Sequence, residues 1–382
     1  MWCILQRGGV TRVLPNTRTA LCSLIALLEP MAAANAQSRL VISDQPTAAR
    51  LRIALSHSMT LREPTGARSW VMPASVARDE RGWFYVLDQM GPNPVQVFDP
   101  GGRRVRSIPR DELLINAGIV RDIVVAPPDT LHVLSGGDAV FNADGRSMRQ
   151  AALPEDMMIW NALALSDGRI VVRALIPTPK LFGYPLHLLG THGTVDRSFG
   201  AGKSDPFDGS VPKISGSLAL ADGRQFWTAN MSRYQLSEWT TGGQLVRVVD
   251  RRVQWFQAWD GWDGRFDVEP PAPRLVAIRQ DAQRRLLTLC NVAASDWKPL
   301  PGRRRGVEAP PATVKEFDDA NDSVIEVLDP IRGSVLASGR FKQGLIRFID
   351  DSLVAGISFE GGGGVAVDIW KIRLTPQPGG NK

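Results

Sequence analysis

One phrase recurs along the chain, and it limits the fold more than any other feature. It reads as a short apolar run, a turn built on Asp and Gly, and a second apolar run. The clearest copy is Val76-Ala77-Arg78-Asp79-Glu80-Arg81-Gly82-Trp83-Phe84-Tyr85-Val86-Leu87-Asp88, followed by Pro94-Val95-Gln96-Val97-Phe98-Asp99 and then Gly101-Gly102-Arg103-Arg104-Val105. Short β-branched and aromatic runs separated by Asp/Gly turns predict consecutive antiparallel strands. Further openings stand at Asp122-Ile123-Val124-Val125-Ala126, Leu163-Ala164-Leu165-Ser166-Asp167-Gly168, Leu218-Ala219-Leu220-Ala221-Asp222-Gly223, Leu275 and Leu345. The last two carry Arg284-Arg285 and Asp350-Asp351 in their turns.

A repeated sheet unit of this size cannot bury both of its faces alone, so the copies must stack on one another. An open radial array would leave two unpaired sheet edges, and closure into a ring protects them. Six openings favour six units over seven. The alternating segment 51–57 reads as an N-terminal strand. The chain ends in Gly361-Gly362-Gly363-Gly364 as a turn, with a last strand from Val365. Asp79, Gly82, Asp88, Val95-Gln96-Val97-Phe98-Asp99 and Gly102 carry a resemblance to NHL-repeat and TolB-like six-bladed β-propellers of exported bacterial proteins. The resemblance implies an all-β six-bladed propeller in which 51–57 completes the last blade. The propeller is expected over 51–376, with an insertion at about 298–322. Residues 37–50 are expected to be an N-terminal linker and 377–382 a disordered tail.

Ahead of the repeats stand Arg7, Arg12 and Arg18, an apolar run over 20–28 and the small residues Ala32-Ala33-Ala34-Asn35-Ala36. That order is a secretory signal peptide over 1–36, with Ala34-Asn35-Ala36 as the cleavage pattern. The run is far shorter than the roughly 20 residues of a spanning helix. The expected product is exported, to the periplasm or beyond the cell, with no integral membrane segment after signal removal. Cys3 and Cys22 leave with the signal, and Cys290, among Leu287, Leu289 and Val292, reads as a buried small hydrophobe. The formal charge is +6; three arginines against Glu29 in the signal account for +2, leaving +4 on the rest. The basic residues lie in scattered doublets and one triplet, which argues against a nucleic-acid partner.

Chemistry is sparse. His57, His132, His187 and His192 are the only histidines, and none has the spacing of a zinc site. His187 and His192 are read as solvent-facing residues flanking a turn. Asp318-Asp319-Ala320-Asn321-Asp322 is read as a solvated loop, since Pro330 stands where a calcium loop needs its bidentate Glu. No nucleophile elbow, metalloprotease motif or cofactor fingerprint is present, so no catalytic residue, metal or cofactor is expected. The densest cluster is Trp255-Phe256-Gln257-Ala258-Trp259-Asp260-Gly261-Trp262-Asp263-Gly264, between the fourth and fifth units. Trp259, Asp260, Trp262 and Asp263 are the candidate ligand-binding residues, as stacking rings with polar partners for a carbohydrate or small apolar ligand, or as a surface for an unknown protein. Trp255 and Phe256 are expected to pack between blades. The reading is a non-catalytic binding or scaffold propeller of the bacterial envelope or extracellular space. The alternative is a lactonase-like propeller hydrolase with a metal at the channel mouth, which acidic or amide side chains converging from three or more blades would favour.

Overall fold

The computed structural model describes residues 38–44, 51–63, 70–113, 119–142, 144–200, 216–260, 268–299, 314–359 and 364–377. Two strands, β1 (Ser38–Ile42) and β2 (Leu51–Leu61), precede the first full repeat. Blade one is β3 (Pro73–Arg78), β4 (Phe84–Asp88), β5 (Val95–Phe98) and β6 (Arg104–Ile108); blade two is β7 (Asp122–Ala126), β8 (Thr130–Leu134), β9 (Gly137–Phe141) and β10 (Ser147–Ala152). Blade three is β11 (Met158–Ala164), β12 (Ile170–Leu175), β13 (Leu186–Leu189) and β14 (Val195–Phe199). Blade four is β15 (Leu218–Leu220), β16 (Gln225–Ala229), β17 (Gln235–Thr240) and β18 (Leu245–Arg251). Blade five is β19 (Arg274–Gln280), β20 (Leu286–Ala293), β21 (Asn321–Asp329) and β22 (Ser334–Phe341), with a short helix α1 (Val314–Asp319) between β20 and β21. Blade six takes β23 (Gly344–Phe348), β24 (Leu353–Phe359) and β25 (Val365–Pro376), and its outer strand is β2, antiparallel to β25 from Leu51↔Pro376 to Leu61↔Val367.

The six sheets make a six-bladed β-propeller, and the burial pattern shows why. Each blade is covered on both faces by its neighbours, so its middle strands are apolar throughout; every residue of β4 is buried. Because side chains alternate, Phe226 faces blade three while Trp227 faces blade five. The apolar core accordingly falls into six clusters, one per blade pair.

Antiparallel four-stranded blades sort their connections onto two faces. First-to-second and third-to-fourth strand links lie on one, the turn face; second-to-third and blade-to-blade links lie on the other, the loop face. Turn-face links span three to five residues each. Gly82 at φ +90° and Gly102 at φ +81° supply the left-handed backbone that the blade-one turns require, and Asp99 Oδ1 caps its turn by accepting from the amides of Gly101 and Arg103. Neighbouring turns are laced by charge, with Arg78–Asp350 and Arg279–Asp351 both at 3.0 Å. The loop face carries the described parts of the longest connections, 109–113 with 119–121, 200 with 216–217, 252–260 with 268–273, and 294–299 with 314–320.

Four expectations need correction. Residues 38–42 are not linker: β1 runs parallel to β18 as a fifth strand of blade four, because Ile42, 1% exposed, has a place in the core between blades four and five. The insertion is shorter than 298–322, since Asn321 and Asp322 open β21. Nor is Asp318–Asp322 a solvated loop: Asp318 and Asp319 close α1, and Asp322 is buried against Arg340 Nε (2.6 Å) and accepts from the Ser295 amide. His187 does not face solvent; it lies within β13, wholly buried, with Nδ1 2.7 Å from Ser198 Oγ. Burial pushes its ring down to about 4.

Candidate functional site

The aromatic segment after β18 divides in two. Trp255 and Phe256 pack on Tyr234, with ring centroids 5.9 and 5.2 Å away. The phenol of Tyr234 donates to Glu326 (2.9 Å), and Glu326 in turn pairs with both Nε and Nη2 of Arg251, each at 2.9 Å. This buried network joins blades four and five. Burial and then the Glu326 carboxylate hold the phenol well above its ordinary range. Burial and Glu326 likewise push up the thiol of Cys290, which lies within the same core.

Trp259 is half-buried on the loop face. Its indole donates to the Pro273 carbonyl (2.6 Å) and its amide to the Ser232 carbonyl (3.2 Å). Asp260 is exposed and pairs directly with Arg233 at 3.1 Å on the surface, a contact worth at most about 1 kcal/mol. Trp262 and Asp263 lie outside the described residues.

A second constellation sits on the axis. Inner strands of all six blades line a channel of about 320 Å³, with Arg78, Arg279, Arg347 and Asp350 as its charged residues. In β3, β11 and β23 a register shift falls immediately before Ser75, Asn161 and Arg347. A bulge of this kind re-aims the next side chain, and here Ser75, Asn161 and Arg347, together with Asp122, Ser217 and Ser323 at positions without a bulge, tie blade to blade. Asp122 Oδ2 accepts from the Ala162 amide (2.8 Å), Asn161 Oδ1 from the Leu218 amide (2.8 Å), Ser217 Oγ from the Ile278 amide (3.3 Å) and Ser323 Oγ from the Leu345 amide (3.0 Å). Arg347 Nη1 donates to Ser75 Oγ (2.6 Å) and Asp122 Oδ1 (2.7 Å), and Ser75 Oγ donates to Asp122 Oδ1 (2.8 Å). Every consecutive pair of blades is joined in this way.

Asp122 is the hub. Only 2% exposed, it takes five donors: Ser75, Arg347 and its neighbour's Ile123 amide on one oxygen, Asn161 Nδ2 and the Ala162 amide on the other. A carboxylate so occupied has no lone pair to offer a cation. Among the described residues no group of three or more His, Cys, Asp and Glu side chains could hold a metal ion. None of Ser75, Asp122, Asn161, Ser217 and Arg347 stands among the candidate site residues read from the sequence. A signal was present, since a polar residue directly precedes the apolar run at Val76, Ile123, Ala162 and Leu218.

Comparison with known proteins agrees on the fold. No family model matches the chain, and no curated protein matches it. Among solved structures, a Bacteroides fragilis protein assigned to export superposes with a TM-score of 0.56 at 9% identity, covering 88% of this chain and 100% of that one. Virginiamycin B lyase from Staphylococcus aureus gives 0.47 at 10% identity over 83% and 99% of the two chains, and regucalcin from Agrobacterium tumefaciens 0.44 at 11% over 88% and 98%. At such identities the likeness is one of fold. No helix among the described residues is long and apolar enough to cross a membrane.

Proposed function

We propose that this chain is a non-catalytic ligand- or protein-binding propeller of the bacterial envelope or extracellular space, of the NHL-repeat and TolB-like kind, exported by removal of 1–36. The observation that carries the reading is how the axial polar groups are spent. The acidic and amide side chains that a propeller hydrolase would aim at substrate or metal instead accept from the backbone of the next blade. Binding is the function left to the scaffold, and the loop face suits it: the long connections gather there, with Trp259 and Asp260 among them. Its partner is a protein, a carbohydrate or a small apolar ligand held by the 259–263 segment.

Site-specific photo-crosslinking tests this. Benzoylphenylalanine at position 259 is expected to give adducts on irradiation of producing cells, and at Gly242, exposed in a turn-face link, none. Adducts from both positions alike, or from neither, would overturn the assignment of the loop face. Metal-dependent lactone hydrolysis by the purified protein, lost in Asp122→Asn while the fold persists, would replace the binding reading with the hydrolase.

A further inference from the structure

We infer that the central channel binds a small organic carboxylate, anchored by the unspent edge of the Arg347 guanidinium. Arg347 reaches from blade six past blade one to Asp122 of blade two. Both of its hydrogen bonds to protein leave from Nη1. Nε and Nη2, which present two parallel N–H groups, meet no partner among the described residues, and the side chain keeps 23% of its exposure, into the channel. Two parallel donors on a planar group match the two oxygens of a carboxylate.

The charge around this edge decides what can sit there. Asp122 does not cancel Arg347 alone, because its negative charge is shared with Ser75, Asn161 and two amides. A dianion such as phosphate would meet Asp122 across the same guanidinium and be repelled more strongly than a monoanion. Arg78 and Arg279, also at the wall, are paired with Asp350 and Asp351, and Val124, Ala164, Leu218 and Phe348 contribute apolar wall between them and Arg347. Its volume, about 320 Å³, is about twice that of an engineered cavity that accepts benzene and lies at the lower end for ligand sites. The ligand is therefore a monocarboxylate with an apolar body of about a dozen heavy atoms. This site is separate from the loop-face surface, so either can fail without the other.

Calorimetric titration of the exported protein with 4-phenylbutyrate and its neutral isostere 4-phenylbutyramide, at pH 7 and low salt, tests the inference. The acid is expected to bind at least tenfold more tightly than the amide. Arg347→Gln should abolish that preference. Ala164→Leu, which narrows the channel and leaves Arg347 untouched, should weaken the acid at least tenfold, so the test does not depend on the Arg347 variant folding. Equal binding of acid and amide to the unaltered protein, no saturable binding of the acid at millimolar concentration, or a preference that survives in folded Arg347→Gln would each overturn it.

Discussion

Removing the Asp122 carboxylate should be among the most damaging single changes outside the apolar core. Asp122→Ala strands five donors at once, one of them charged, from blades one, two, three and six. Breaking a buried ion pair by deleting one partner costs about 3–5 kcal/mol. The lower end applies here, because Arg347 retains a path to water through the channel. The compact unit Gln37–Lys382 has an unfolding entropy of roughly 0.7 kcal/mol/K at about 2.1 cal/mol/K per residue, so each kcal/mol moves the midpoint by about 1.4 °C and the variant should melt about 4 °C lower. Asp122→Asn keeps the shape but turns an NH₂ toward existing donors, and should lose about 2 kcal/mol. Asp351→Ala, which removes an exposed pairing with Arg279 on the turn face, should stay within about 1 kcal/mol. Differential scanning calorimetry at pH 7 measures all three. In a double-mutant cycle, Arg347→Met should recover part of the Asp122→Ala loss, since no guanidinium is then left stranded. An Asp122→Ala midpoint no lower than that of Asp351→Ala would refute the argument that this residue clasps four blades.

Three other outcomes are expected. His187, buried and held near pKa 4 against an ordinary 6.5, stabilises the fold above the ordinary value and loses that contribution as pH falls toward 4, by up to about 3 kcal/mol; melting curves across pH 7 to 4 should fall less steeply in His187→Gln. Phe256→Ala should cost about 3–5 kcal/mol in chemical denaturation, and Trp259→Ala clearly less, because Phe256 is 6% exposed within the core between blades four and five whereas Trp259 is half-buried at the surface. Deleting 51–57 uncovers the edge of β25 and should give early melting or aggregation, read by light scattering during a thermal ramp; an unchanged profile would count against that strand's protective effect.

The parts of the fold legible in the sequence are those with short-range chemistry. Asp79 accepts from the Trp83 amide and Gly82 takes positive φ, so the blade-one turn is written within five residues. Blades two and five read faintly because Asp129 (φ +50°) and Arg284 (φ +63°) occupy left-handed turn positions where glycine would have marked the repeat. Strand β1 left no trace, since its five residues pair with a strand more than two hundred positions away. The axial clasp was invisible for the same reason: Asp122 finds partners 47, 40 and 225 positions distant. Of the candidate binding residues, Trp259 and Asp260 fall on the loop face, but their environment came from Ser232, Arg233 and Pro273, which nothing local to the aromatic cluster announces.

A clasp of charged and polar groups at the axis is not the cheapest way to join six blades. Well-packed apolar side chains of similar size hold a buried site at least as firmly as an ion pair does. What the polar version adds is a fixed register. Each accepting side chain meets one particular amide on the next inner strand: Ala162 for Asp122, Leu218 for Asn161, Ile278 for Ser217 and Leu345 for Ser323. A slip of one residue would break that bond and turn the strand's core side chains toward the wrong neighbour. Apolar contacts alone would penalise such a slip less sharply in strands like Val76–Ala77 or Ala162–Leu163–Ala164, whose small and apolar residues look alike from either face. The same choice keeps the channel open, because Asp122 and Arg347 satisfy one another at the wall instead of filling the centre, and leaves one guanidinium edge directed into a space of ligand size.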